Sequence, residues 1–130
     1  MARIVVDTSA LMAVALGEPA ADRCIAALSD TDELLIAAPT LTETLIVATG
    51  RNIAEAMQAT LDRLAPIVVD LTAKRASAAA AAFRHYGKGR HAAGLNFGDC
   101  FAYAIAKEHA CPLLYIGDDF AKTDIESALR

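Results

Sequence analysis

Four short runs rich in branched aliphatic residues punctuate this chain: "RIVV" at 3–6, "ELLIA" at 33–37, "IVVDL" at 67–71 and "PLLYI" at 112–116. Each is nearly continuous in apolar side chains rather than alternating, the pattern of strands covered on both faces. Between them lie stretches of helical length. "TSALMAVAL" stops at Gly17 and Pro19, a second helix covers 20–29, and "TLTETLIVATG" ends at Gly50, where a C-terminal glycine belongs. Residues 52–64 place Ile53, Met57, Leu61 and Leu64 on one face, an alanine-rich segment runs from Ala73 to Tyr86, and a last helix opens at Asp99. Strands alternating with helices predict an α/β fold, a central parallel sheet of about four to five strands flanked by helices.

A chain of 130 residues has the length of one domain, and 55% apolar residues suffice for a real core. The apolar stretches are too short and interrupted to cross a bilayer, and "MARIVVDTSAL" lacks the cleavage region of a signal peptide. No membrane is expected. Cys24, Cys100 and Cys111 show no C-x-x-C spacing and sit in apolar surroundings, which reads as reduced, buried thiols of a cytoplasmic protein. A net charge of −4 argues against a general nucleic-acid coat protein but not against an enzyme with a local basic strip.

Chemistry in open α/β sheets collects at the carboxyl ends of the strands. Asp7 ends the first strand, Asp118 and Asp119 follow the last, and Glu43 and Asp99 are expected in first turns of helices that could pack beside those ends. Each has a plain structural reading. Asp7 or Ser9 can cap a helix, Thr40-x-x-Glu43 has the form of a capping box, Asp99 complements a helix dipole, and Asp118–Asp119 suits a turn. Those readings leave unexplained why these acids, unlike the others, stand in apolar segments: "IVVD", "TETLIV", "GDCFAYAIA", "LLYIGDDF". Carboxylates beside a core are costly unless paired or bound to a cation, and several together cannot all stay ionised unaided. A hard divalent cation resolves that conflict through one or two direct carboxylates, with the remaining acids holding its waters. From Phe83 to Gly98 there is no acid, while Arg84, Lys88 and Arg90 lie there with His85 and His91. That reversal of charge is either a guide for a phosphate backbone or a solvated helix end.

Three stretches, "VVDTSAL", "TLTETLIV" and "GLNFGDCFAYAIAKEHACPLLYIGDDFAKTDI", resemble the motifs of PIN-domain ribonucleases, above all the VapC toxins of bacterial VapBC toxin–antitoxin modules. The resemblance spans residues 3 to 126, and its third motif is the distinctive one. It implies a single PIN domain over 1–130 and a Mg²⁺-dependent endoribonuclease, with Mn²⁺ able to substitute. Metal-activated water would cleave RNA, tRNA or rRNA by family expectation, leaving 5′-phosphate and 3′-hydroxyl ends. By position, Asp7, Glu43 and Asp99 match the regular acids of such a site, with Asp7 and Asp99 as metal ligands and Thr8 or Ser9 as polar helper. The usual fourth acid would fall at Gly117, so Asp118 and Asp119 compete for the role, with Asp119 favoured by its place before Phe120. Arg84, Lys88 and Arg90 would bind RNA phosphates. Expected partners are a VapB-like antitoxin, whose tail would lie in the active-site groove, and a second copy in a homodimer. The alternative is a PIN-like module that has lost catalysis and only binds RNA or a partner.

Other classes lack their residues. A haloacid-dehalogenase phosphatase needs D-x-D after the first strand, where this chain has Asp7-Thr8-Ser9. A response-regulator receiver needs an acidic pair before its phosphoacceptor. "GKGRH" is not a phosphate-binding loop, and the histidines at 85, 91 and 109 make no zinc motif.

Overall fold

The computed structural model describes residues 2–129. Its four strands are β1 (Arg3–Val6), β2 (Glu33–Ala37), β3 (Ile67–Val69) and β4 (Leu113–Leu114), all parallel, in the order β3-β2-β1-β4. Helices α1 (Thr8–Leu16) and α2 (Ala21–Asp30) connect β1 to β2, α3 (Ala38–Gly50) and α4 (Ala54–Leu64) connect β2 to β3, and α5 (Ala73–Tyr86) and α6 (Phe97–Glu108) lead to β4. A short 3₁₀ turn at Phe120–Lys122 follows.

Alternation along the strands divides the core in two. Val5 and Leu35 point to the side covered by α5 and α6, with Ala79, Ala82, Ala102 and Ile105. Ile4, Val6, Leu34 and Ile36 point to the other, against Leu11 of α1, Cys24 of α2 and Met57 and Leu61 of α4. Small residues on α5 and α6 let those helices lie close to each other and to the sheet. β1 and β2 are central, and their continuous apolar runs are buried on both faces as expected. At the edge, Ile67 and Val68 of β3 stay about half exposed.

The elements follow the expected order, with instructive differences at their ends. "PLLYI" pairs only through Leu113–Leu114, and "IVVDL" ends at Val69. α3 begins at Ala38, with Pro39 in the first turn, where the missing N–H of proline costs nothing. Glu43 is therefore mid-helix, and Thr40 forms no capping box; its buried hydroxyl has no partner. Gly50 is the last helical residue rather than a left-handed cap, and the positive φ falls on Asn52. α6 starts two residues before Asp99, and Cys111 is half-buried where full burial was expected. Among the described residues no helix is long and apolar enough to cross a membrane.

Candidate active site

The chain runs from β1 outward to β2 and β3, then returns to place β4 on the other side of β1. The reversal leaves a crevice at the carboxyl ends of β1 and β4, where ligands of open α/β sheets bind. Asp7 sits in it. Its backbone N–H donates to the carbonyl of Leu114 at 2.9 Å, so β4 itself holds the residue in place. It also caps α1: Oδ2 accepts from the Ser9 N–H at 3.0 Å and the Ser9 hydroxyl at 2.6 Å. Ser9 Oγ in turn accepts the Ile116 N–H at 3.0 Å, which ties the segment after β4 to the same corner. The capping reading of Asp7 is thus met by one oxygen alone, Oδ2. Oδ1 is buried and has no hydrogen-bond partner. With the residue only 4% exposed, that oxygen is an unsatisfied acceptor of the kind a folded protein rarely leaves without a purpose.

Glu43 arrives from α3. Thr8 Oγ1 donates to its Oε1 at 2.7 Å and stands 2.9 Å from Thr44 Oγ1. Thr8 and Ser9, neighbours in sequence, therefore steer two different carboxylates. Asp99 arrives from α6 as the third residue of the helix. Its Oδ2 accepts the Asn96 N–H at 3.0 Å, while Asn96 Oδ1 accepts the Asp99 N–H at 2.9 Å, a reciprocal capping box. Gly98 leaves room for the Glu43 carboxylate where it stands, because a side-chain carbon at that position would run into it.

These acids lie within reach of one another's charge. Burial raises the Asp7 carboxyl above its ordinary range and the charge of Glu43 adds to the rise, against the Ser9 hydrogen bonds that lower it. Asp99 is pushed up to about 6, first by burial and then by the charges of Asp7, Glu43 and Asp119, against the Asn96 N–H. Asp118 and Asp119 are both exposed, and Asp119 is the one whose charge is felt at Asp99. Among the described residues no three His, Cys, Asp or Glu side chains are gathered tightly enough to enclose a metal ion. A magnesium-type cation asks for less: one or two carboxylates, with waters completing its shell. The unpaired Asp7 oxygen and the half-buried, charge-strained Asp99 fit that demand.

The basic strip makes no hydrogen bond or ion pair to the acids among those the structure shows. Arg84, Lys88 and Arg90 are exposed, and the Arg90 Nε donates to the Arg84 carbonyl at 3.0 Å, so Arg90 also finishes α5. The glycine-rich loop is anchored rather than loose: Lys88 N–H donates to the Leu95 carbonyl and Leu95 N–H to the Tyr86 carbonyl. Sequence reasoning missed Asn96, Thr44 and the role of Gly98. Asn96-x-x-Asp99 was visible as a cap followed by an acid, whereas Thr44 and Gly98 matter only through contacts between distant segments.

Comparison with known proteins identifies the family and the fold. The PIN domain family model matches residues 4–126. Ribonuclease VapC30 of Mycobacterium tuberculosis is 44% identical over 125 residues, covering 94% of this chain and 95% of the relative. The crystal structure of M. tuberculosis VapC20, described as a sarcin–ricin loop cleaving toxin, superposes with a TM-score of 0.76 at 19% identity, over 94% of this chain and 95% of that one. A toxin–antitoxin complex from Klebsiella pneumoniae superposes with a TM-score of 0.70 at 19% identity, over 93% and 92%. At such identities the two structures speak for the fold, and the sequence relative carries the kinship. A family model matched over residues 4–126, together with a 44% identical relative that covers nearly the whole chain, places this parallel α/β chain in the PIN-domain family, among the VapC ribonucleases.

Proposed function

We propose that this chain is the toxin of a type II toxin–antitoxin module, an endoribonuclease that works as one PIN domain and depends on Mg²⁺ or Mn²⁺. The observation that carries the metal dependence is the buried, unpartnered Asp7 Oδ1 at the crevice, beside an Asp99 already strained by its acidic neighbours. Kinship with proteins named as VapC ribonucleases supports the activity, and the intact Asp7, Glu43 and Asp99 speak against a module that only binds.

Asp7 and Asp99 would hold the cation. When bound, it would supply the positive charge that lets the carboxylates ionise together and the Lewis acidity that activates water toward a phosphodiester. The protein's own groups do the rest. Ser9 fixes one Asp7 oxygen and so presents the other. Thr8 holds Glu43 in position to order water on the α3 side. The Asn96 capping box sets the Asp99 rotamer before any ligand arrives. Asp119, exposed at the open rim, is the fourth acid in preference to Asp118 because its charge reaches Asp99. Arg84, Lys88 and Arg90 attract RNA phosphates from outside the acid cluster. We infer a VapB-like antitoxin and a homodimer as partners from the module type.

The deciding experiment compares the wild type with Asp99→Asn on total tRNA and rRNA in matched Mg²⁺ or Mn²⁺. Metal-dependent cleavage that the near-isosteric variant loses supports the reading. Equal cleavage by both would remove the assignment of Asp99. Sequencing of 5′-phosphate ends after induction in cells would name the RNA.

A further inference from the structure

We infer that Phe97 is a stacking platform for an unpaired base of the RNA, set one nucleotide or so to the side of the scissile phosphate; this rests on the ribonuclease reading above. Phe97 is 79% exposed, the most exposed large apolar side chain among the described residues, although it lies in the first turn of α6. Its ring is not loose. Phe101, one turn on, meets it edge to face with centroids 5.0 Å apart. The two rings form one wall of a groove of about 620 Å³ between α5 and α6, with Leu71, Phe83 and Arg84 opposite.

Position relative to the acids argues for a nucleobase as occupant. Successive residues on a helix turn by roughly 100°, so Phe97 and Asp99 diverge by roughly 200° and cannot touch the same atom. Gly98 lies between them, and the Glu43 carboxylate occupies the space that a side-chain carbon at Gly98 would take. The rim of the acid cluster is therefore one residue from the exposed ring, and both are fixed by the same helix start. Arg84 supplies a cation in the groove, where the backbone of a strand leaving the acids would need one. A flat aromatic face, a cation beside it and a neighbouring hydrolytic centre match a single-stranded nucleic-acid track, in which stacking is tolerant of sequence. A double helix would keep its bases from the ring.

The chain contains no tryptophan, so Phe97→Trp introduces a single fluorophore at the platform. The variant is titrated, in chelator and low salt so that nothing is cut, with a mixed-sequence single-stranded RNA of about 12 nucleotides, an abasic strand of equal length and a duplex. Stacking predicts quenching by the first alone. In cleavage assays Phe97→Ala should raise KM roughly tenfold with kcat held within about twofold, and Phe97→Leu, which keeps the apolar bulk and loses the π-face, should behave like Phe97→Ala. Thermal melts check that each variant folds. Equal quenching by the abasic strand, or no quenching and an unchanged KM in a protein that cleaves, overturns the platform and leaves the ribonuclease standing. Unchanged RNA behaviour together with a dimer turned monomer in light scattering assigns the ring to a second copy and also overturns it. If the wild type cleaves no RNA in Mn²⁺, the ribonuclease reading falls instead, whatever the indole reports.

Discussion

Asp7 and Asp119 follow neighbouring parallel strands, yet one is built into the fold and the other is left in solvent. Asp7 comes directly after β1, accepts two hydrogen bonds from Ser9 and is held by β4 through its backbone. Asp119 comes after β4 has lost its pairing, beyond Gly117 at φ 104°, and reaches the site only through its charge. The cause is the short pairing of β4. A central strand delivers its last residue with the rigidity of the sheet, while a strand paired over only two residues hands over to a turn. In the proposed reading, the carboxylate fixed in the wall would be the ligand and the one on the solvated turn would tune charge and water.

The comparison is broken most readily by activity. Asp7→Asn should lower metal-dependent cleavage beyond the roughly 10- to 100-fold typical of groups that act at one remove, and Asp119→Asn should stay within that range. Equal losses in initial rate would put the two acids on the same footing. Ser9→Ala removes the hydroxyl between Asp7 and the Ile116 N–H, so a loss of roughly 10- to 100-fold is expected, with a shift in the metal concentration needed for half activity. A lower rate at unchanged metal requirement would separate Ser9 from the Asp7 wall.

Stability sharpens the contrast without any turnover. The Asp99 carboxyl is raised from 3.8 to about 6 on folding, so between those pH values the folded chain binds more protons than the unfolded one. In metal-free protein the penalty is absent below about pH 4, grows as pH rises, and is complete above about pH 6. Asp99→Asn, which keeps an acceptor for the Asn96 N–H, should be more stable than wild type by about 2 kcal/mol at pH 7.5, and the difference should vanish near pH 4. Denaturant melts at the two pH values measure it; a difference independent of pH would show that folding does not raise the Asp99 carboxyl. Asp119→Asn should move stability much less. The smallest effect is expected on the exposed strip. Lys88→Ala with Arg90→Ala should flatten the salt dependence of RNA binding by roughly one to two counterion units. An unchanged slope would leave both as solvated ends of α5.

The layered order and most element positions were legible in the residues, because continuous branched runs and 3.6-residue periodicity are local properties. Asp7, Glu43 and Asp99 drew attention for the same reason, because their apolar neighbours are adjacent in sequence, and the resemblance then implied their roles. The misreadings lie where local and distant partners compete. Thr40-x-x-Glu43 has the spacing of a capping box, yet Pro39 lets α3 begin earlier, and Glu43 turns instead to Thr8, 35 residues away. Asp99 keeps its local cap and is strained by distant charges besides.

Read alone, the string of residues determines that strands and helices alternate, which runs are buried, and that acids stand at the edges of those runs. Folding alone decides that β4 returns beside β1 and opens the crevice there, that Ser9 occupies one Asp7 oxygen and leaves the other bare, and that the Glu43 carboxylate of α3 comes to stand against Gly98 of α6. The physical reason is range. Periodicity and capping are set by neighbours within a turn or two, whereas the burial and mutual repulsion of carboxylates exist only once distant segments have excluded water from between them.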